Sequence, residues 1–320
     1  MMPKNSKLPK VQPGHRNFRR ILILGHSGFI GSRLESCFRA KLPNVEIVGR
    51  SFPDLDLTIE ADVESLRDVF ERDTVVIMCA AIKRQVGENL EAFSQNVKMI
   101  VNLCRLLEDR PVGRFIFFSS AAVYGEDVQN TNITEETPVC PTSFYGIAKY
   151  TCECLLRKTI QPGTGSELLV LRPATVYGAD EPVKSYGPSG FVKAAFLGEP
   201  ITLWGDGKEQ REFVFVDDLI ELTLHLAFHE WQGTLNIVTG VSRSFLDAIA
   251  ILSKFGVCSV RTTSRPRTKR HVDQRYSNRA LTKLFPEFTF TDLEEGMRKI
   301  LAAESRMSHS REWNVELKGT

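Results

Sequence analysis

Short apolar runs alternate with amphipathic stretches along the first half of the chain. Continuous apolar runs of this length indicate buried strands, and strands separated by helices indicate a parallel sheet that is covered on both faces. The sequence therefore predicts an α/β fold with a doubly wound parallel sheet. The predicted strands lie at 19–25 (RILILG, with Arg20 at its edge), 45–49 (VEIVG), 74–81 (TVVIMCAA), 113–120 (GRFIFFSS) and 167–172 (ELLVLR).

The segments between these strands have the spacing of amphipathic helices. A turn that contains glycines leads into the first of them, and the third is the longest. We expect the helices to cover the two faces of the sheet. The predicted helices extend to about Ala40, over 63–70 (VESLRDVF), from about Glu88 to Glu108 and around 142–158.

The character of the sequence changes after Arg172. Pro and Gly cluster at 173–207, and a basic segment at 261–279 holds seven Arg or Lys residues and one acid. We expect this half to form a smaller substrate-binding lobe that is partly interleaved with the sheet. The predicted organisation is a disordered basic tail at 1–18, a Rossmann-type domain at 19–172, the lobe at 173–305 and a flexible tail at 306–320.

Composition and charge exclude several classes of protein. The 320 residues are 42% hydrophobic and 25% charged, as in an ordinary globular protein. Lys and Arg total 41 against 39 acids, so the whole chain does not have the charge of a nucleic-acid-binding protein. Residues 1–20 hold six cations and no acid, which predicts a disordered tail, with a nucleic-acid or membrane arm as the alternative.

Hydropathy and cysteine usage predict a cytoplasmic protein. No apolar run approaches the roughly 18–20 residues that cross a bilayer, and no apolar stretch precedes the first strand as in a secretory signal. The chain has seven cysteines, an odd number without a C-x-x-C pair. This pattern favours a reducing compartment and predicts neither a disulfide framework nor a metal site.

A glycine-rich turn after the first strand predicts a dinucleotide site. Glycines let the chain turn tightly and let a phosphate approach the backbone. Amides at the following helix N-terminus, with the helix dipole behind them, favour a pyrophosphate. The turn reads Gly25-His26-Ser27-Gly28-Phe29-Ile30-Gly31. The residues predicted to bind the cofactor here are Gly25, Ser27, Gly28, Phe29, Ile30 and Gly31, joined by Ala80, Ala81 and Pro173 after two other strands.

The end of the second strand predicts which cofactor binds. NAD-dependent dehydrogenases usually place Asp or Glu there to accept the ribose hydroxyls. This chain has Gly49-Arg50-Ser51, so no carboxylate repels a 2′-phosphate, and Arg50 with a hydroxyl could bind one. NADP(H) is therefore favoured and NAD(H) is the alternative, with Arg50 then a solvated residue. Asp56 and Leu57, one loop later, are predicted to contact the adenine end.

Three side chains in the first half could carry proton transfer. Tyr145 and Lys149 are four residues apart on a predicted helix and hence share a face. A nearby ammonium favours the phenolate, so we expect Lys149 to lower the pKa of Tyr145 and to bond the nicotinamide ribose. Ser119 and Ser120 end a predicted strand at the sheet edge where α/β proteins bind ligands, and a hydroxyl there could donate to a substrate oxygen.

These motifs resemble the short-chain dehydrogenase/reductase superfamily, and more narrowly its extended branch, the NAD-dependent epimerase/dehydratase family acting on nucleotide sugars. The resemblance runs from about Arg20 to about Leu301. It implies a catalytic triad of Ser120, Tyr145 and Lys149, with hydride transfer at nicotinamide and proton exchange at the Tyr hydroxyl. The motifs that carry it are G-x-x-G-x-x-G (25–31), SSAAVYG (119–125), YGIAK (145–149), LRPATVYG (171–178) and REFVFVDDL (211–219).

The resemblance also implies a site for the substrate. The family holds the substrate's pyrophosphate with an Arg at the position of Arg211 and with a second basic residue, for which Arg265 or Arg270 fits. Thr175 and Ser120 complete the predicted substrate-binding set. The family further implies a homodimer, built through a helical bundle of the helix near 88–108 and the helix that carries Tyr145.

Departures from the family pattern narrow the expected reaction. Similar 4,6-dehydratases carry Asp-Glu directly after the catalytic hydroxyl, where this chain has Ala121-Ala122, so dehydration is not expected. Epimerase-reductases of GDP-sugars add a Cys and a His, where this chain has Ala122 and Gly190. The expected function is a nucleotide-sugar 4-ketoreductase, with a 4-epimerase as the alternative. Two further hypotheses are a non-catalytic NADP-sensing protein and a reductase of steroids or flavonoids.

Overall fold

The computed structural model describes residues 18–181, 186–256, 260–267 and 270–316, with side chains up to 306. The strands are β1 (Arg20–Leu24), β2 (Glu46–Arg50), β3 (Thr74–Met78), β4 (Arg114–Phe118), β5 (Asn130–Ile133), β6 (Glu167–Pro173), β7 (Thr175–Tyr177), β8 (Ile201–Trp204), β9 (Gln210–Arg211), β10 (Phe213–Phe215), β11 (Gly233–Ile237), β12 (Arg243–Ser244), β13 (Thr262–Arg265) and β14 (Gln274–Tyr276). The α-helices are α1 (Phe29–Lys41), α2 (Glu60–Glu64), α3 (Leu90–Asp109), α4 (Phe144–Thr159), α5 (Pro188–Phe196), α6 (Val216–Phe228), α7 (Phe245–Ser253), α8 (Arg279–Leu284) and α9 (Leu293–Glu316).

A six-stranded parallel sheet forms the centre of the molecule, in the order β11-β6-β4-β3-β1-β2. Strand β1 pairs with β2 on one side and with β3 on the other, so the strand order reverses at β1. In doubly wound folds the ligand binds outside the carboxyl ends of the strands at such a reversal. The predicted α/β class is confirmed, and the predicted glycine-rich turn lies at this point.

Alternating side chains of the central strands fill two hydrophobic cores, one on each face of the sheet. In β1, Ile21 and Ile23 join the core formed with α1 and α6, whereas Leu22 and Leu24 join the core formed with α3 and α4. All four side chains are fully buried. Because both faces of the sheet are covered, its strands have no polar face, which explains their continuous apolar runs.

The predicted helix over 63–70 is wrong as a single element. Helix α2 ends at Glu64, and a separate 3₁₀ turn follows at Arg67–Val69. Leu66 and Phe70 are buried in the same core as Val63, so the helical spacing of the apolar residues is real. A segment this short is not stable as a helix by itself, and its burial against the sheet decides the backbone path.

The C-terminal half builds a smaller lobe with its own core, which includes side chains of α5, α7 and α9. Its chain also returns to the central sheet, because β11 pairs with β6 in parallel. This interleaving agrees with the sequence analysis, while the domain boundaries stay predictions. Helix α9 runs on into the segment 306–320 that was predicted as a flexible tail. Within the described residues, no helix has both the length and the apolar character needed to cross a membrane.

Candidate active site

Two positions in the turn between β1 and α1 have no room for a Cβ atom and therefore require glycine. A Cβ on Gly25, which has a φ of +89°, would lie 2.6 Å from the amide nitrogen of Ala80. A Cβ on Gly31 would lie 2.1 Å from the carbonyl oxygen of Gly25. Helix α1 begins after Gly28 without a side-chain cap and without an acidic residue in its first turn. Its first amides therefore remain available to an anion, and these residues fit the pyrophosphate of a dinucleotide.

Polar side chains from two segments meet beside this turn. Arg50 ends β2, is exposed and donates to the carbonyl oxygen of Gly49 at 2.9 Å. Ser51 donates to the hydroxyl of Ser27 at 2.8 Å, which joins the end of β2 to the glycine-rich turn. Arg50 and Ser51 are the residues predicted at the adenosine ribose, and Ser27 belongs to the predicted pyrophosphate turn.

The other two predicted adenine-side residues, Asp56 and Leu57, lie in the loop after β2 and have partners within the protein. The carboxylate of Asp56 accepts from the amide and the hydroxyl of Thr58, at 2.9 and 2.7 Å, and so stabilises its own turn. The side chain of Leu57 is buried in the core between the sheet and α3. Their contact with the adenine end therefore stays a prediction.

Three predicted catalytic residues converge at the carboxyl end of β4. Ser120 follows this strand, and its hydroxyl accepts from the amide of Ala122 at 3.1 Å. Tyr145 lies in the first turn of α4, close enough to Ser120 for the Ser120 hydroxyl to favour its phenolate form. Lys149 follows one turn later on the same helix, with its Nζ 5.7 Å from the centre of the Tyr145 ring. The Lys149 ammonium donates to the carbonyl oxygen of Phe118 at 2.6 Å.

Burial shifts both titratable groups of this triad. It raises the pKa of Tyr145 to about 12, although the neighbouring Ser120 hydroxyl opposes the shift. It lowers the pKa of Lys149 to about 8. The expectation that Lys149 lowers the pKa of Tyr145 is wrong for this arrangement, because desolvation of the phenol dominates and the ammonium is bonded to Phe118. Tyr145 therefore keeps its proton at neutral pH and can act as an acid.

The predicted substrate-binding arginine lies in the C-terminal half. Arg211 in β9 donates to the carbonyl oxygens of Gln210 and Val272, at 2.9 and 2.5 Å, and to the carboxylate of Glu209 at 3.2 Å. Arg267 donates to the other oxygen of the same carboxylate. Arg267 is not among the predicted substrate-binding residues, although it lies in the basic segment at 261–279.

The other predicted substrate-side and cofactor-side positions lie as follows. Arg265 ends β13 and is exposed, and Arg270 is exposed as well. Thr175 begins β7, and its amide donates to the carbonyl oxygen of Glu212 at 3.2 Å. Pro173 ends β6 and is buried. No described contact joins any of these residues to the triad, and their roles stay predictions.

A buried ion pair behind the triad was also missed. Glu153 is fully buried and accepts from Arg172 with both oxygens, at 2.9 and 2.7 Å. The hydroxyl of Ser119 also donates to Glu153, so the end of β4 that carries Ser120 is tied to α4. Glu153 lies four residues after Lys149, and this i, i+4 spacing on the catalytic helix is the signal that could have found it.

Two cations after β3 complete the surroundings of the site. The Nζ of Lys83 lies 5.6 Å from the centre of the Phe29 ring, and its charge contributes to the lowered pKa of Lys149. Arg84 donates to Glu126 at 2.6 Å, and the Glu126 carboxylate contributes to the raised pKa of Tyr145. Both lie in the loop between β3 and α3, at the predicted ligand edge of the sheet, and this position is the sequence signal that points to them.

Comparisons with known proteins find related sequences and a similar fold. The chain is 27% identical over 263 residues to the uncharacterized UDP-glucose epimerase YtcB of Bacillus subtilis, covering 73% of this chain and 81% of YtcB. It is 26% identical over 261 residues to the GDP-6-deoxy-D-talose 4-dehydrogenase of Aggregatibacter actinomycetemcomitans, covering 79% and 86%. Its fold matches the crystal structure of Thermus thermophilus UDP-glucose 4-epimerase in complex with NAD, with a TM-score of 0.78 at 22% identity, covering 88% of this chain and 98% of that one.

The family of this chain is identified by a family model that matches most of its length. A model of the NAD dependent epimerase/dehydratase family matches residues 21–237, from β1 of the central sheet to the end of β11. This range contains the glycine-rich turn, the triad and Arg211. The resemblance seen in the sequence is confirmed: the chain belongs to the NAD-dependent epimerase/dehydratase family of extended short-chain dehydrogenase/reductase enzymes.

Proposed function

We propose that this enzyme acts on a nucleotide sugar and transfers hydride at one sugar carbon, carbon 4, with ketoreduction as the lead reaction. The observation that carries the proposal is the convergence of Ser120, Tyr145 and Lys149 at the end of β4. This point lies on the same sheet edge as the glycine-rich turn. The names of the two relatives, a UDP-glucose epimerase and a GDP-6-deoxy-D-talose 4-dehydrogenase, support the substrate class.

Each triad residue has a separate task in this proposal. A bound nicotinamide cofactor supplies or accepts the hydride. Tyr145 gives its proton to the sugar oxygen during reduction and takes it back during oxidation. Ser120 donates a hydrogen bond to the same oxygen. Lys149 holds the nicotinamide ribose and lies one helical turn after Tyr145, with its Nζ 5.7 Å from the centre of the Tyr145 ring.

Two small residues beside the triad argue against other reactions of the family. Ala121 and Ala122 directly follow Ser120 and are buried. Their methyl groups have no ionisable proton and no basic lone pair, so these two positions supply neither the acid nor the base of water elimination. Gly190 in α5 likewise offers no side chain for stepwise epimerisation next to a ketone. The reaction left to the triad needs only hydride transfer and proton transfer at one carbon.

We infer that NADP(H) is the cofactor, with Arg50, Ser27 and Ser51 around its 2′-phosphate. Ketoreduction consumes its cofactor, and NADPH is the form used for net reduction, so this inference favours a reductase. The proton that Tyr145 keeps at neutral pH also suits reduction. A 4-epimerase is the second candidate, and the UDP-glucose epimerase names among the relatives favour it.

A screen of nucleotide sugars tests the function. UDP-, GDP-, dTDP- and CDP-sugars are added to protein with NADPH or NADH, and melting temperature and product are measured. A ketoreductase oxidises NADPH in proportion to a 4-keto nucleotide sugar, whereas a 4-epimerase interconverts two sugars without net change in the cofactor. A ligand present at about 100 times its dissociation constant adds around 2.7 kcal/mol of stability. Absence of both stabilisation and turnover across the panel contradicts the proposal.

We also propose a homodimer through the surface of α3 and α4. Leu90, Phe144 and Ile147 expose 63%, 39% and 39% of their surface there. Helices α3 and α4 pack against each other, so a second copy can complete a four-helix arrangement that covers these side chains. Exposed apolar groups that cluster in this way are typical of protein interfaces.

A further inference from the structure

A single carboxylate joins two arginines that come from separate segments of the C-terminal half. One oxygen of Glu209 accepts from Arg211 at 3.2 Å, and the other accepts from Arg267 and from the amide of Val272, the latter at 3.2 Å. The side chain of Glu209 is only 15% exposed, and those of the two arginines are about one-fifth exposed. Glu209 is therefore a largely buried link between the two guanidinium groups.

The backbone around this link leaves room for Arg267. A Cβ on Gly205 would lie 2.1 Å from the Nε of Arg267, and Gly205 has a φ of +64°. Arg267 also donates to the carboxylate of Asp206 at 2.7 Å. The turn at 205–209 thus supplies a glycine against which the arginine lies and two carboxylates that hold it. Arg211 is fixed from another side by the carbonyl oxygen of Val272.

Charge and donor geometry explain what such a link does. Two guanidinium groups repel each other, and a carboxylate between them removes that repulsion. A guanidinium has five N–H donors in a rigid fork. The described bonds of Arg211 use three of them, to Gln210, Val272 and Glu209. The remaining N–H groups of a fixed fork are therefore oriented before any ligand arrives, which lowers the cost of binding an anion.

We propose that Glu209 is a positioning residue that holds Arg211 and Arg267 together as one binding pair for the diphosphate of the substrate. The inference rests on the proposed function, because a nucleotide sugar is what brings a diphosphate to this lobe. Glu209 itself makes no contact with the ligand and acts through the two arginines. If Glu209 instead competed with the diphosphate as an internal anion, its removal would strengthen diphosphate binding.

Calorimetric titration with inorganic pyrophosphate tests the inference independently of base and sugar. The protein is first saturated with its nicotinamide cofactor, so that the glycine-rich turn is filled. We expect Glu209→Ala to weaken pyrophosphate binding about ten-fold, with melting temperature measured in parallel. Glu209→Gln keeps one acceptor oxygen at the same chain length and should recover part of the affinity. Glu46→Ala removes a more exposed ion pair, with Arg20 at the far end of β2, and should leave pyrophosphate binding unchanged.

A double-mutant cycle distinguishes positioning from an independent effect. If Glu209 acts through both arginines, Glu209→Ala weakens pyrophosphate binding less in the Arg211→Ala protein than in the wild type, because only Arg267 is then left to position. Additive losses, or unchanged or tighter binding in Glu209→Ala, overturn the inference. A wild-type protein that binds pyrophosphate at this pair but no nucleotide sugar leaves the inference standing and overturns the proposed function instead.

Discussion

At the scale of single residues, the proposed triad combines the partly buried phenol of Tyr145 with the buried ammonium of Lys149. Burial disfavours the charged form of each group, so the pKa of Tyr145 rises and that of Lys149 falls. Between about pH 8 and 12, both side chains are therefore mostly uncharged. Each group has a close neighbour in the triad: Lys149 lies one helical turn after Tyr145, and Ser120 lies close to the Tyr145 side chain.

Tyr145→Phe should lose turnover by about 10²–10⁴-fold, because it removes the proton that the sugar oxygen must receive. Cofactor affinity should remain, since the ring and Lys149 stay in place. Ser120→Ala should lose about 10²–10³-fold, the effect of removing one hydrogen-bond donor. Steady-state kinetics and cofactor titration measure both, with Tyr150→Phe on the same helix as the matched control. Near-wild-type turnover in Tyr145→Phe would remove this residue from the mechanism.

The pKa of Lys149 predicts an alkaline limit to activity. Below about pH 8 the ammonium is charged and can serve the ribose and Tyr145, so turnover should fall as the pH rises through this value. The pKa of Lys149 in the folded protein lies below its usual 10.5, so between about pH 8 and 10.5 the unfolded chain binds more protons at this group. The free energy of unfolding therefore rises with pH over this range. The loss of turnover is thus distinct from denaturation. A pH–rate profile with melting curves at each pH checks this, and a flat profile to pH 10 contradicts it.

Arg50→Ala should weaken NADPH binding by about 1.5–3 kcal/mol, the contribution of a charge-assisted hydrogen bond to a 2′-phosphate. NADH binding should not change, because NADH lacks that phosphate. Fluorescence titration with both cofactors measures the difference. Arg39→Ala, an exposed arginine that pairs with Glu35 on α1, is the control. An equal effect on both cofactors, or a wild-type preference for NADH, would show that Arg50 does not select the cofactor.

At the scale of elements, the Glu153–Arg172 pair fastens α4 to the ends of β4 and β6. Burial alone would raise the pKa of Glu153, but Arg172 and the other donors hold it below its usual range. Replacing Glu153 by Ala leaves the guanidinium of Arg172 buried without its counter-charge. Such a loss typically costs about 3–5 kcal/mol.

Urea denaturation of Glu153→Ala should show this loss as a lower free energy of unfolding. The exposed pair between Arg105 and Glu60 provides the comparison, because breaking a surface pair costs about 0–1 kcal/mol. We expect Glu60→Ala to stay within that range. Equal costs for the two variants would mean that the buried pair does not fasten these elements.

At the scale of the whole molecule, the proposed dimer predicts a mass in solution of about twice the 36.1 kDa of one chain. Leu90→Glu places a charge on the exposed apolar surface of α3 and should shift the population toward monomers. Leu197→Glu is the control, because Leu197 is 60% exposed in the C-terminal lobe, away from α3 and α4. Light scattering across a dilution series measures both. A monomeric wild-type protein at every concentration contradicts the proposal.

The sequence by itself determined those features that depend on local pattern. The apolar runs of β1, β3 and β4 have no polar face, which is possible only in a sheet covered on both sides. The glycines of the turn before α1 and the Tyr145–Lys149 spacing are likewise local. Strand, helix and turn preferences act over a few residues, so a single sequence contains them.

Only the tertiary structure decided which distant residues meet and how burial changes their chemistry. Arg267 meets Arg211 because the segments at 205–211 and 260–267 pack together through Glu209, and no spacing in the sequence encodes that contact. The raised pKa of Tyr145 likewise depends on how much water the surrounding elements exclude. Hydrogen-bond partners and desolvation arise from residues far apart in the chain, and they exist only once the chain has folded.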